Sequence, residues 1–254
     1  EGLGVRVKNI KMSRFNNPIS DIYLIIQLCK FFNKEKFDTL HNMTIKPNIY
    51  GTIVARYFGV NRIVCLVSGT GYLFSNTSGY FDKLVKYITL SLYRFSMNFT
   101  DKIWFQNQED KDEFIEKNII DSEQGVVIRS SGVDLKKYDI NNINIKRVEF
   151  WRDKFVIKPS EKIVLMVAAR LIKAKGVYEF IEAATYFEEK GINCKFILIA
   201  PSEKNNYDEI GQNIFKDLKL KNFIYYSSFI NDINNVLALA DVVTLPSYYR
   251  EGVP

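Results

Sequence analysis

Along this chain, apolar runs of strand length alternate with stretches whose apolar residues recur at helical spacing. Arg62–Val67 (RIVCLV) predicts a buried strand, and Lys102–Gln106, Ile163–Ala168 and Lys195–Ala200 predict further strands. Val5–Met12 alternates apolar and charged residues, which predicts a further strand. Shorter strands are expected at Phe37–His41, Val126–Arg129, Phe223–Ser227 and Asp241–Leu245. Helices are expected at Asp21–Phe32 with Ser20 as N-cap, Tyr50–Phe58, Phe81–Asn98, Lys146–Phe155, Tyr207–Leu218 and Ile233–Ala240. Asn107 is placed to cap another, whose first turn is acidic (Glu109, Asp110, Asp112, Glu113), as the helix dipole favours. Lys175 or Gly176 opens a helix with Val177, Phe180, Ile181 and Ala184 on one face. Strands alternating with helices predict parallel sheets. The Asn-rich stretch at Tyr138–Asn144 divides the chain into two expected α/β domains, 1–138 and 139–254.

Composition narrows the class. The 254 residues are 47% apolar, enough for one large core or two ordinary ones. No apolar run reaches the ~18 residues of a membrane-spanning helix, and no secretory leader is expected. Cys29, Cys65 and Cys194 are odd in number, far apart and set among apolar residues, so reduced core thiols and a cytoplasmic location are expected. The net charge of +6 is uneven: residues 1–150 hold 21 Lys+Arg against 16 Asp+Glu, and residues 151–254 hold 14 against 13. A basic first half suits an anionic partner such as a phospholipid, a lipid diphosphate or nucleic acid, and equally suits ordinary solubility charge. No aromatic–basic module of a nucleic-acid binder accompanies it, so nucleic acid is not an expected partner.

Chemistry concentrates after the strand at Ile163. The loop that follows carries Arg170, Lys173 and Lys175 and runs into a helix N-terminus. Cations and free N–H groups at the C-terminal end of a parallel strand form a site for anions. Arg170 and Lys175, five residues apart, suit two phosphates of one ligand; a solvated basic loop has the same composition. A later strand ends in Val242–Pro254 (VVTLPSYYREGVP), which sets Glu251 just before Gly252.

Together, R-x4-K-G and P-S-Y-Y-R-E-G-V-P resemble the retaining glycosyltransferases of the GT-B fold, and most closely the large family 4 group of bacterial capsule, O-antigen and related glycan assembly. The resemblance implies an α/β fold of two Rossmann-like domains facing across a cleft. It implies that Arg170 and Lys175 hold the diphosphate of a nucleotide-sugar, with UDP the usual nucleotide, and that Glu251 contacts the donor sugar. Three N-terminal motifs extend it. His41–Gly51 (HNMTIKPNIYG) is similar to the H-x-x-T-x-K-P-x-x-Y-G element of polyprenyl-diphosphate-linked sugar transferases. Val67–Phe74 (VSGTGYLF) is similar to their V-T-G-L-G-Y-x-F loop, and Phe105–Asp110 (FQNQED) to their F-x-N-x-x-D. His41, Lys46, Gly69, Gly71 and Asn107 are thereby expected on the acceptor side of the cleft. His41 suits acid/base work, a hydrogen bond to a sugar hydroxyl, or a plain strand end. Lys46 suits the acceptor diphosphate or a solvated surface, and the glycine loop suits close backbone approach to a ligand or a simple turn.

The implied activity is transfer of a sugar, with retention, from a nucleotide-sugar to a lipid-linked saccharide. A GT-B sugar-nucleotide epimerase and a non-catalytic nucleotide-sugar or glycan-binding protein are the alternatives. No cofactor beyond the nucleotide-sugar substrate and no metal are expected. Asp110-Lys111-Asp112 spells a D-x-D metal motif, but it falls in a helix's first turn, where acidic residues are common. Lys83, Lys86 and Arg94 interleave with Leu84, Tyr87, Ile88 and Leu92 in Phe81–Asn98. That suits either a peripheral contact with the inner face of an anionic membrane or a core-packed helix with a solvated face. Measured against the family, both ends are expected to be cut. The first strand would precede Glu1, the second motif Glu would follow Pro254, and the segment alone would aggregate or bind donor weakly and transfer no sugar.

Overall fold

The computed structural model describes residues 4–13, 17–69, 79–129, 132–202, 209–211, 213–218, 220–226 and 228–248. They form two compact units, which divide between Gly132 and Val133.

The N-terminal unit holds four parallel strands, β1 (Thr39–Met43), β2 (Arg62–Val67), β3 (Lys102–Phe105) and β4 (Gly125–Val127), side by side in chain order. Its helices are α1 (Pro18–Lys34), α2 (Thr52–Tyr57), α3 (Tyr80–Met97) and α4 (Gln108–Glu116). One core cluster joins them to one face of the sheet: Ile63, Cys65 and Val67 of β2 and Ile103 and Phe105 of β3 meet Phe32, Val54, Tyr93, Met97 and Phe114. Side chains alternate across a strand, so His41, Met43, Val64, Leu66, Trp104 and Val126 share the opposite face. Met43 there is 53% exposed and Val126 40%.

The C-terminal unit holds β5 (Lys162–Val167), β6 (Cys194–Ile199), β7 (Phe223–Tyr226) and β8 (Val242–Val243), all parallel, in the order β7-β6-β5-β8. Here both faces are covered. α6 (Val177–Glu189) and α7 (Asn213–Asp217) pack on Val164, Met166, Phe196 and Leu198. α5 (Ile145–Lys154) and α8 (Ile233–Leu237) pack on Ile163, Leu165, Ile197 and Ile199. The three cysteines are free thiols, Cys65 and Cys194 buried, and burial raises the pKa of both.

Several expected elements are corrected. Val5–Met12 forms no strand; its valines are exposed, and Lys11 bonds through its backbone to the Gln27 side chain of α1 instead of to a sheet. Alternation makes a strand only where a neighbouring edge takes its backbone hydrogen bonds. α1 begins at Pro18 and its cap is Asn17, whose side chain accepts from the Ser20 amide; proline suits the first helical position because it lacks an N–H. β1 runs two residues past His41. The helix expected at Tyr207–Leu218 is confined, among the described residues, to Asn213–Asp217, because Glu209 pairs with Ile172 as an antiparallel bridge. β2 and the cap by Asn107 form as expected.

Candidate active site

In the C-terminal unit the strand order reverses between β5 and β8, since β6 and β7 extend the sheet to one side of β5 and β8 lies on the other. Loops leaving the two strands on either side of a reversal diverge and open a crevice at their C-terminal ends. The loop after β5 carries Arg170 and Lys175; the loop after β8 begins Pro246-Ser247-Tyr248.

The first loop is pinned. Leu171 donates its amide to the Pro201 carbonyl at 2.9 Å, and Ile210 donates to the Leu171 carbonyl at 3.3 Å. Residues Lys173–Lys175 then make one turn of 3-10 helix, and Gly176 adopts a left-handed conformation (φ 79°) that lets α6 start. Lys175 is buried, at 7% exposure, whereas Arg170 is partly exposed. No side chain caps the first turn of α6, so its leading N–H groups point at this turn with the positive end of the helix dipole.

The second loop docks on that turn. The Ala174 carbonyl accepts the Tyr248 amide at 3.0 Å and the Ser247 hydroxyl at 3.3 Å. A Cβ on Gly176 would stand 2.1 Å from the Pro246 carbonyl oxygen, so only glycine permits this approach. The two motifs, seventy residues apart in the chain, are one surface. No local pattern in the sequence predicts the docking of Ser247 and Tyr248; Lys175-Gly176 immediately before an apolar helical run marks only the turn that receives them. Glu251 lies outside the described residues.

The N-terminal motif builds a different kind of structure. After β1, Thr44 takes a positive φ of 71° and Pro47–Gly51 forms a single π-helical turn leading into α2. Its polar residues mostly bond inward. Asn48 is fully buried and donates to the Leu66 carbonyl at 2.9 Å and to the Tyr93 hydroxyl at 2.7 Å. Asn42 donates to Thr52 Oγ1 at 3.0 Å, and Gly51 leaves room for the Asn42 side chain, which a Cβ would meet at 2.7 Å. Lys46 forms a largely buried ion pair with Asp21 of α1. Tyr50 donates to the same carboxylate at 3.1 Å, and burial, then the Asp21 charge, push its phenol up to about 12. Lys46 therefore ties α1 to the turn.

His41 sits in the middle of β1 rather than at its end, because the strand continues to Met43. It is exposed on the face opposite the core and stacks on Trp104, with ring centroids 6.0 Å apart. Gly69 follows β2 with φ 123°; Gly71 lies outside the described residues. Asn107 caps α4 by accepting the Asp110 amide at 2.7 Å, and its Nδ2 donates to the Asp110 carboxylate at 3.1 Å. Asp112 accepts from Gln108 at 2.7 Å, so both carboxylates of the D-x-D sequence serve the helix start.

An α/β chain of two parallel sheets, one with a strand-order reversal flanked by a basic turn and a docked second loop, has the architecture of the Rossmann-like proteins, which bind their ligands at such reversals. Comparison with known proteins narrows this. Residues 1–107 match the family model "Glycosyl transferase 4-like", and residues 147–254 match "Glycosyl transferases group 1". The two parts of the chain thus match two glycosyltransferase family models, and the fold is that of the GT-B glycosyltransferases. An Escherichia coli UDP-Gal:alpha-D-GlcNAc-diphosphoundecaprenol alpha-1,3-galactosyltransferase is 31% identical over 93% of the chain and 58% of its own length. A Campylobacter jejuni N,N'-diacetylbacillosaminyl-diphospho-undecaprenol alpha-1,3-N-acetylgalactosaminyltransferase is 29% identical over 99% of the chain and 64% of its own length. The chain thus spans about three fifths of these relatives. Among solved structures, a glycosyltransferase from Rickettsia africae superposes with a TM-score of 0.65 at 18% identity, covering 93% of the chain and 58% of that structure. An alpha,alpha-trehalose 6-phosphate synthase from Burkholderia multivorans gives 0.69 at 16%, covering 95% and 59%.

Proposed function

We propose that this protein is a retaining glycosyltransferase that moves a sugar from a UDP-sugar to a polyprenyl-diphosphate-linked saccharide in bacterial surface-glycan assembly. The observation that supports this most is the meeting of the Arg170–Lys175 turn with the Pro246–Tyr248 loop at the strand-order reversal. Both named relatives act on diphosphoundecaprenol-linked sugars, and one uses UDP-Gal.

In this reading Arg170, Lys175 and the start of α6 hold the donor diphosphate, and Glu251 orients the sugar. The bond from the anomeric carbon to the diphosphate oxygen breaks, and its electron pair leaves with that oxygen. The fixed positive charges stabilise the negative charge that grows there, which lowers the barrier. The acceptor hydroxyl oxygen bonds the anomeric carbon on the face being vacated, and its proton passes to the departing phosphate oxygen. His41, exposed beside Trp104, serves the acceptor side. No helix among the described residues is long and apolar enough to cross a membrane. In this reading contact with the lipid-linked acceptor is peripheral. Exposed Leu84, Tyr87 and Ile88 of α3, beside exposed Lys83, support that contact. Arg94 is otherwise engaged, donating to the Asn118 and Lys117 carbonyls.

The test is UDP release by the full-length protein, screened over UDP-sugars with and without a polyprenyl-diphosphate-linked saccharide. Acceptor-dependent release is expected. Conversion of the donor without acceptor would make it an epimerase, and UDP binding without turnover would make it a binding protein. For the membrane contact, stronger flotation with anionic than with zwitterionic vesicles is expected; equal flotation would refute it.

A further inference from the structure

We propose that Ser247 is a positioning residue that locks the loop after β8 onto the anion-binding turn, so that diphosphate binding and alignment of the donor sugar are one event. The inference rests on the glycosyltransferase reading above and goes beyond it by assigning a coupling between the two loops.

The geometry carries the argument. β8 is short: only Val242 and Val243 pair with β5, and Thr244 adds one backbone bond to Leu165 at 2.9 Å. Beyond that point the chain leaves the sheet, and Tyr248 and Ser247 both reach the Ala174 carbonyl. Ala174 is the middle residue of the Lys173–Lys175 turn, between two of the cations that define the anion site. Next to it, the Pro246 carbonyl lies against Gly176 so closely that no side chain fits between them. Two donors on one carbonyl and a backbone-to-backbone contact leave little slack. A shift of the turn on binding a diphosphate would therefore carry residues 246–248 with it. Of these contacts only the Ser247 hydroxyl belongs to a side chain, so it is the one that substitution removes without disturbing the backbone.

Two measurements on the full-length protein test this. The first uses inorganic pyrophosphate, with binding followed by calorimetry and hydrogen exchange followed in the peptide that contains Tyr248. Pyrophosphate is expected to slow exchange there by about fivefold or more in the wild type and by less than about twofold in Ser247→Ala. Pyrophosphate that binds without changing this exchange overturns the coupling and leaves the anion site standing. Pyrophosphate that does not bind the wild type removes the anion site, and the proposal with it. The second measurement is steady-state kinetics. Ser247→Ala is expected to lower kcat roughly tenfold, the loss of about one hydrogen bond's worth of alignment, with donor KM within about threefold. Ser247→Thr, which keeps the hydroxyl, should return kcat to within about threefold of wild type. An unchanged kcat in Ser247→Ala overturns the proposal. So does a parallel fall of kcat, affinity and melting temperature that Ser247→Thr fails to rescue, since that pattern marks a structural contact only.

Discussion

Among the described residues the two units are built from the same parts, four parallel strands and four α-helices, yet they place their chemistry differently. In the N-terminal unit the strands run in chain order, and one core cluster serves one face of the sheet among the described residues. In the C-terminal unit the order reverses beside β5 and helices cover both faces. Reversal matters because it sends neighbouring loops to opposite sides and leaves a crevice between them. At that reversal the basic turn meets the docked loop after β8. Among the described residues the N-terminal sheet shows no reversal, and the conspicuous motif there, His41–Gly51, spends most of its polar groups on Asp21, Leu66, Tyr93 and Thr52. A motif can be as specific in sequence as R-x4-K-G and still be largely architectural.

Glycine substitutions sharpen this contrast most strongly. Gly176→Ala puts a Cβ into the Pro246 backbone at a positive φ, where neither side can yield, so a loss of roughly 3 kcal/mol or more is expected. Gly51→Ala puts a Cβ against the Asn42 side chain at an ordinary helical φ of −61°, and the expected loss is roughly 1–2 kcal/mol. The chain has two tryptophans, Trp104 in the first unit and Trp151 in the second, so fluorescence of single-tryptophan variants during denaturation reads each unit separately. Equal losses from the two substitutions would break the distinction between a backbone contact and a side-chain contact.

A smaller effect is set by pH. Asp232 accepts hydrogen bonds from Arg147 Nε at 2.7 Å and Trp151 Nε1 at 3.1 Å, and chiefly the Arg147 bond holds its carboxyl below the usual range. The folded state therefore binds this proton less readily than the unfolded state. The stabilisation is complete above the ordinary aspartate value of ~3.9 and is lost as pH falls through the lower folded value. Asp232→Asn should lower the midpoint of the Trp151-reported transition at pH 7, and the gap from wild type should close on acidification. A gap that stays constant with pH would mean that the carboxylate charge contributes nothing.

Much of this was legible from the residues themselves, where a single local cause decides the outcome. Ile63–Val67 is apolar throughout, and the strand forms over the expected Arg62–Val67. Asn107 precedes an acidic turn and caps it. Asn17-Pro18 carried a readable start for α1, an N-cap followed by proline, but Ser20 competed for the assignment. Elements that depend on a partner were not legible. Val5–Met12 has the alternation of a strand but pairs with no strand among the described residues, and Glu209 leaves a helical pattern to pair with Ile172. The candidate site divides the same way. Arg170 and Lys175 stand out by residue type and spacing. The contact of Ala174 with Ser247 and Tyr248 exists only once the strand order has brought the two loops together, and no local pattern encodes it.

The central claim is that anion recognition belongs to the turn after β5 and not to the lysine of the N-terminal motif. Calorimetry of UDP binding to full-length Arg170→Ala, Lys175→Ala and Lys46→Ala proteins tests it most directly. The first two should each lose about 10- to 150-fold in affinity, the equivalent of one charge-assisted contact of roughly 1.5–3 kcal/mol. Lys46→Ala, which unpairs Asp21, should melt earlier and bind UDP within about twofold of wild type. Unchanged affinity in both Arg170→Ala and Lys175→Ala, or an equal loss in Lys46→Ala, would contradict the account.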